Sequence, residues 1–227
     1  GYVRPTLVES NALAIIDGRH PVVENHLPTG EFVPNTIQLD AEDTLFALIT
    51  GPNMTGKSTF LRQTALIVLL SHIGSFVPAS EARIGIVDKL FCRVGATDNL
   101  ARGESTFLVE MNEAAHILRS STDKSLVIMD EIGRGTSTND GLAIAQAITE
   151  HLLEKNTPKT LFATHFHELT TLEHPKLKKL YLDIIENGKE IVFLKKVKEG
   201  ISNNSYGIHV ATRSEERRVG KECATGC

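Results

Sequence analysis

The chain has 227 residues, of which 41% are hydrophobic and 23% charged, an ordinary globular composition with enough length to bury a real core. A formal net charge of -4 argues against a basic surface that coats nucleic acid, and zero Trp with 5% aromatics argues against a stacking platform for single strands. The longest apolar stretch, Thr64 to Leu70, is too short to span a bilayer, no signal peptide is evident, and Cys92, Cys223 and Cys227 show no zinc or disulfide spacing, which suits a reducing cytoplasm.

The first fifty residues read as short strands between turns: Ala12 to Ile16, ended by Asp17-Gly18, then Phe32 to Leu39, then the near-continuous apolar run Thr44 to Thr50. With no helices between them, the initial strands are expected to form an antiparallel annex. Helical spacing begins at Lys57 and runs to His72, with Gly74 and Pro78 marking the exit. Leu90 to Val94 reads as a strand whose Cys92 is a buried, inert thiol, and Phe107 to Leu118 as a second helix. Leu126 to Met129 reads as a buried strand, Gly141 to Leu153 as a helix with Asp140 as its N-cap, Thr160 to Ala163 as a strand and Ile191 to Leu194 as a late one. Strands alternating with helices predict an α/β fold with a mostly parallel sheet covered on both faces.

Four places on this scaffold carry chemistry. Gly51-Pro52-Asn53-Met54-Thr55-Gly56-Lys57-Ser58-Thr59 lies between a strand and a helix and matches the phosphate-binding loop pattern. Its glycines let backbone N–H groups face phosphate oxygens, the helix start adds partial positive charge, Lys57 reaches the outer phosphates and Ser58 offers a hydroxyl to Mg2+. Asp130-Glu131 ends an apolar strand, so Asp130 is expected to hold the metal and Glu131 to orient and deprotonate a water. His165, at the end of another strand, can sense a terminal phosphate or steady that water. Gly103-Glu-Ser105-Thr106 opens a helix, and the pattern leaves open whether its hydroxyls cap that helix or meet a phosphate.

Gly51 to Thr59, Gly103-Glu-Ser-Thr-Phe-Leu-Val-Glu-Met111, Met129-Asp-Glu-Ile-Gly-Arg-Gly-Thr-Ser-Thr138 and Phe162-Ala-Thr-His-Phe-His-Glu-Leu169 together resemble the ATPase domain of the MutS family of DNA mismatch repair proteins. The resemblance runs from about Tyr2 to Ala211. Tyr2-Val-Arg-Pro5, Asp17-Gly-Arg-His-Pro21, Phe32-Val-Pro-Asn35 and Ser205-Tyr-Gly-Ile-His-Val210 fit its bacterial branch. It implies a P-loop NTPase of the ABC type over 1–211, ATP and Mg2+ as ligands, and DNA-dependent ATP hydrolysis that drives the conformational cycle of a mismatch-recognition dimer.

The resemblance further implies that Ser105 contacts the phosphate bound by an opposing subunit, that Gly133 to Thr138 crosses that interface, that His165 is the switch histidine and that Phe32 stacks on adenine. A histidine making a second adenine contact in some members would fall near Tyr181. The implied partners are a second copy, mismatched duplex DNA bound through domains outside this chain, and a downstream factor of the MutL type, in the bacterial cytoplasm with no membrane. Competing expectations are a MutS branch acting on recombination intermediates or ribosomes, and an ABC transporter ATPase, whose Leu-Ser-Gly-Gly-Gln signature is replaced here by Ser105-Thr-Phe-Leu-Val-Glu-Met111. Phe166-His167-Glu168 fits the family's short mismatch wedge pattern but stands in the switch segment, so the chain is expected to be a fragment without mismatch recognition of its own. Residues 212–227, dense in Arg, Glu and Gly, look like a translated sequencing adapter and are expected to be a disordered, non-native tail.

Overall fold

The computed structural model describes residues 1–40, 42–52, 55–95, 106–187 and 190–201. Along these the elements are β1 (Thr6–Val8), β2 (Leu13–Gly18), α1 (Pro21–Asn25), β3 (Asn35–Leu39), β4 (Phe46–Thr50), α2 (Lys57–His72), β5 (Glu81–Gly85), β6 (Leu90–Arg93), α3 (Thr106–Ser120), β7 (Leu126–Asp130), α4 (Thr138–His151), β8 (Lys159–Ala163), β9 (Leu177–Asn187) and β10 (Glu190–Glu199). A π-helical turn, Leu152–Asn156, extends α4, and a 3-10 turn, His167–Thr171, follows β8.

The strands form two sheets. The larger has the order β10-β9-β4-β8-β7-β6, parallel throughout except for the antiparallel β9–β10 pair. Its central strands carry apolar side chains on both faces, as burial on two sides requires. Period-two alternation divides them. Ala47, Ile49, Leu126, Ile128, Leu161 and Ala163 join one core, which also takes in Phe60, Leu61 and Ile67 of α2. Phe46, Leu48, Val127, Met129 and Phe162 join the other, with Ala114 and Ile117 of α3 and Ala145 and Ile148 of α4. The α/β expectation therefore holds, with four α-helices among the described residues.

The N-terminal annex differs from its expected form. It is a mixed sheet of order β1-β5-β2-β3, in which β2 is antiparallel to both neighbours while β1 runs parallel to β5. Its fourth member, β5, comes from after α2, so the annex closes over that helix rather than preceding it. This explains why α2 buries so wide a surface, including Gln63, Thr64 and Ser71: it lies between the main sheet and the annex.

Two local expectations are corrected. The N-cap of α4 is Ser137, whose hydroxyl accepts the N–H of Asp140 at 3.2 Å; Asp140 is inside the first turn, where an acid favours the positive helix end. Cys92 is exposed, because β6 is the outer described strand of its sheet and keeps one face towards solvent. Phe166 precedes the single 3-10 turn His167–Thr171. The tail 212–227 lies outside the described residues.

Candidate functional site

Parallel strands deliver their following loops to one edge, and here three such loops meet. Ile49, Ala163 and Asp130 stand in one row across β4, β8 and β7. Gly51, His165 and Glu131 therefore leave the sheet side by side, the usual position of a ligand crevice in an open α/β sheet. Backbone bonds tie the exits together: Glu131 N–H donates to Ala163 O at 2.9 Å, and Thr164 N–H donates to Ile49 O at 3.0 Å.

The loop after β4 turns at Gly51 (φ 139°) and again at Gly56 (φ 103°), both in a region that L side chains rarely adopt. Gly56 is the N-cap of α2 and has no side chain to satisfy the helix's first N–H groups, which leaves them available to an anion. Thr55 is buried, and its hydroxyl donates to Pro52 O at 2.8 Å, folding the loop on itself. Asn53, Met54 and Ser105 are candidate site residues outside the described ones.

Lys57 is buried and donates from Nζ to Gly51 O at 2.6 Å and Pro52 O at 3.1 Å; its Nζ is 3.8 Å from Glu131 Oε1. Burial pushes its pKa down, and the Glu131 and Asp130 carboxylates work against that shift. Ser58 donates from Oγ to Asp130 Oδ2 at 2.5 Å. Burial raises the Asp130 pKa despite that hydrogen bond, and Glu131 beside it adds to the rise. The other oxygen, Asp130 Oδ1, is buried without a hydrogen-bond partner. One orphaned carboxylate oxygen next to a hydroxyl is a donor set that fits Mg2+, which takes one or two carboxylates, water and substrate phosphates rather than a full protein cage. Accordingly, the described residues contain no group of three or more His, Cys, Asp or Glu that could hold a metal.

Asp130 also makes a testable contribution to stability. Its folded pKa lies above the unfolded value near 3.8, so the folded state holds the proton more tightly. Stability is then undiminished below that value, falls as pH rises through the folded pKa, and stays reduced at neutral pH. Asp130→Asn is expected to raise the melting temperature at pH 7 without nucleotide or metal. Thermal melts should show the gain at neutral pH and lose it near pH 3; an equal gain at both would assign it to something other than the buried charge.

Glu131 has φ 55°, unusual for a non-glycine residue, and pairs with Arg134. Such backbone strain collects at functional sites. His165 is exposed, with its ring centroid 4.0 Å from that of Phe166. Although the side chain reaches solvent, partial desolvation of the ring first, then the Arg134 charge, lowers its pKa, which favours the neutral imidazole at physiological pH. Two residues beyond Ala163, His165 leaves β8 at the sheet edge where Gly51 leaves β4 and Glu131 leaves β7.

Phe32 and Gly56 share the lining of one cavity of about 200 Å³ with Val23, Leu27, Thr59 and Lys195. Complete small-molecule pockets hold ~300–1,000 Å³, so this one has room for part of a ligand that continues over the loop. The wall containing Val23 is set by His20, whose Nδ1 accepts the N–H groups of Val22 and Val23 at 3.3 Å each and so caps α1. Tyr181 instead pairs with Thr50 in the sheet and is not among the residues lining the cavity.

Sequence reasoning missed Glu110. It is buried on α3, and its Oε1 accepts the N–H of Gly133 at 2.5 Å, two residues after Glu131. A signal existed: Glu110 shares the i, i+4, i+7 stripe of Ala114 and Ile117, the buried residues of that helix.

A family model described as MutS domain V matches residues 47–219. The chain is 62% identical over 215 residues to the DNA mismatch repair protein MutS of Treponema pallidum (strain Nichols), covering 93% of this chain and 24% of that protein. The corresponding protein of Treponema denticola is 65% identical over 220 residues (92% of this chain, 25% of that protein), and that of Borrelia turicatae 58% over 211 residues (92% and 24%). The chain thus spans about a quarter of the length of the curated relatives it matches.

Proposed function

The chain belongs to the MutS family, and from that membership we propose that residues 1–211 form an ABC-type ATPase unit that binds and hydrolyses ATP within a DNA mismatch repair protein. The observation that carries the reading is the meeting of Lys57, Ser58, Asp130 and Glu131 at the carboxyl edge of a parallel sheet, beside a helix N-terminus with open N–H groups. The names of the relatives favour mismatch repair over a branch acting on recombination intermediates or ribosomes, and family membership weighs against a transporter. No helix among the described residues is long and apolar enough to cross a membrane.

In the proposed reaction the Gly51–Thr59 loop wraps the phosphates, with Phe32 stacking on adenine in the cavity beyond Gly56. Lys57 exchanges the carbonyls of Gly51 and Pro52 for the outer phosphates. Ser58 and Asp130 hold a Mg2+ ion, which when bound neutralises charge on the phosphate oxygens. Glu131 takes a proton from the attacking water as its oxygen bonds to the terminal phosphorus and the bond to ADP breaks. Neutral His165 steadies the water or senses the terminal phosphate. Ser105 of the partner subunit completes the site, so two copies close around ATP and reopen after hydrolysis. Mismatched DNA and a MutL-type factor are then engaged by the full-length protein, in the bacterial cytoplasm.

A mixing experiment tests the shared site. Full-length Lys57→Ala and Ser105→Ala variants are each expected to be inactive. Mixed, about half the dimers pair one of each and rebuild one of two sites, giving about a quarter of the wild-type rate. A mixture as inactive as its parts, or normal hydrolysis by Ser105→Ala alone, rules out the shared site.

A further inference from the structure

The core stripe of α3 contains one charged residue. Ala114 and Ile117 pack there against the sheet, and an apolar side chain at position 110 would serve packing equally well. A buried carboxylate is costly unless paired and hydrogen-bonded, and ion pairs in the interior are weak evidence for stability. Glu110 has both kinds of partner: Oε1 accepts the N–H of Gly133 at 2.5 Å, and Oε2 is 3.7 Å from Arg93 Nη2 at the end of β6. Arg93 is itself anchored by Glu113, with Nε 2.8 Å from Oε2.

The acceptor is aimed at a tightly confined point. Gly133 has φ 91°, and a Cβ there would lie 2.7 Å from the carbonyl oxygen of Gly141 in α4. Two residues on, a Cβ at Gly135 would stand 3.0 Å from Cβ of Phe107, so the same loop also rests on the first turn of α3. The segment from Glu131 to Gly135 is therefore held by β8 at one end and by α3 at the other.

We propose that Glu110 is a positioning residue for ATP hydrolysis: by holding Gly133 it fixes the loop carrying Glu131 to α3. A carboxylate suits this task because a charged acceptor makes a stronger, shorter bond to an N–H than a neutral one. The inference rests on the ATPase reading above.

The test uses full-length protein with Glu110→Leu, which keeps apolar volume and removes the acceptor, and Glu110→Gln, whose amide oxygen still accepts the Gly133 N–H. ATP affinity by equilibrium binding and single-turnover hydrolysis are measured for each, with Glu131→Ala as reference. Glu110→Leu is expected to lower the single-turnover rate by about ten- to a hundredfold while ATP affinity changes by less than about threefold. Glu110→Gln should recover most of that rate. A wild-type rate in Glu110→Leu overturns the proposal, as does a parallel loss of binding, rate and melting temperature in both variants, which would make the residue a packing element only. If Glu131→Ala is inactive and Glu110→Leu normal, the positioning role alone falls; if Glu131→Ala is fully active, the ATPase reading falls with it.

Discussion

Lys57→Ala in the full-length protein is expected to lower kcat/KM for ATP by at least about a thousandfold, since a single preorganised electrostatic group removed from such a site costs ~10²–10³ in rate and ATP binding weakens as well. The lysine is the buried cation nearest Glu131, 3.8 Å from Oε1, and its ammonium already occupies the carbonyls at the mouth of the loop. Arginine should not restore activity, because its planar fork cannot follow the phosphates as a point charge on a flexible stem. Lys57→Met separates charge from packing. Burial holds the folded pKa of Lys57 below its unfolded value, so the charged form carries a folding cost below that pKa, relieved only as pH rises through it. Lys57→Met removes this cost at neutral pH and is expected to melt no lower than wild type without nucleotide, while losing hydrolysis. Normal turnover by Lys57→Ala would end the nucleotide assignment of this loop.

Glu131→Ala is expected to bind ATP with near wild-type affinity and to lose about 10²–10⁴-fold in turnover, the range for removal of a general base. The expectation follows from its place: the residue follows Asp130 at the strand end, holds an unusual positive φ and faces Lys57, yet it does not line the cavity at Phe32. Equilibrium binding and single-turnover hydrolysis separate the two effects. Lost affinity with an unchanged rate for the bound fraction would give Glu131 a structural role, holding Lys57 and Arg134 in place.

Much of the main sheet was legible because its signals are local. Thr44 to Thr50, Leu126 to Met129 and Thr160 to Ala163 read as strands, and α2 spans Lys57 to His72 in both pattern and structure. The strand β9, Leu-Lys-Lys-Leu-Tyr-Leu-Asp-Ile-Ile-Glu-Asn from Leu177, was not legible: charges interrupt its alternation, and pairing with β4 and β10 compensates. β5 escaped for a related reason. Glu81-Ala-Arg-Ile-Gly85 is a strand because β1 and β2, some seventy residues earlier, present edges to it. At α4 a local rule picked the wrong residue, since Asp140 and Ser137 are both good caps and the hydrogen bond decides between them.

Residue order alone specified the glycine loop between a strand and a helix, the acids closing an apolar run and the histidine closing another, because each depends on neighbours a few positions apart. It also indicated which edge of a parallel sheet they would share. Tertiary packing supplied the rest. It placed Lys57 between its own loop's carbonyls and Glu131, left Asp130 Oδ1 without a partner, put Phe32 and Gly56 on the wall of one cavity and brought Glu110 to Gly133. These depend on distances between segments tens of residues apart, set by how two cores close over a shared sheet, and local periodicity carries no record of them.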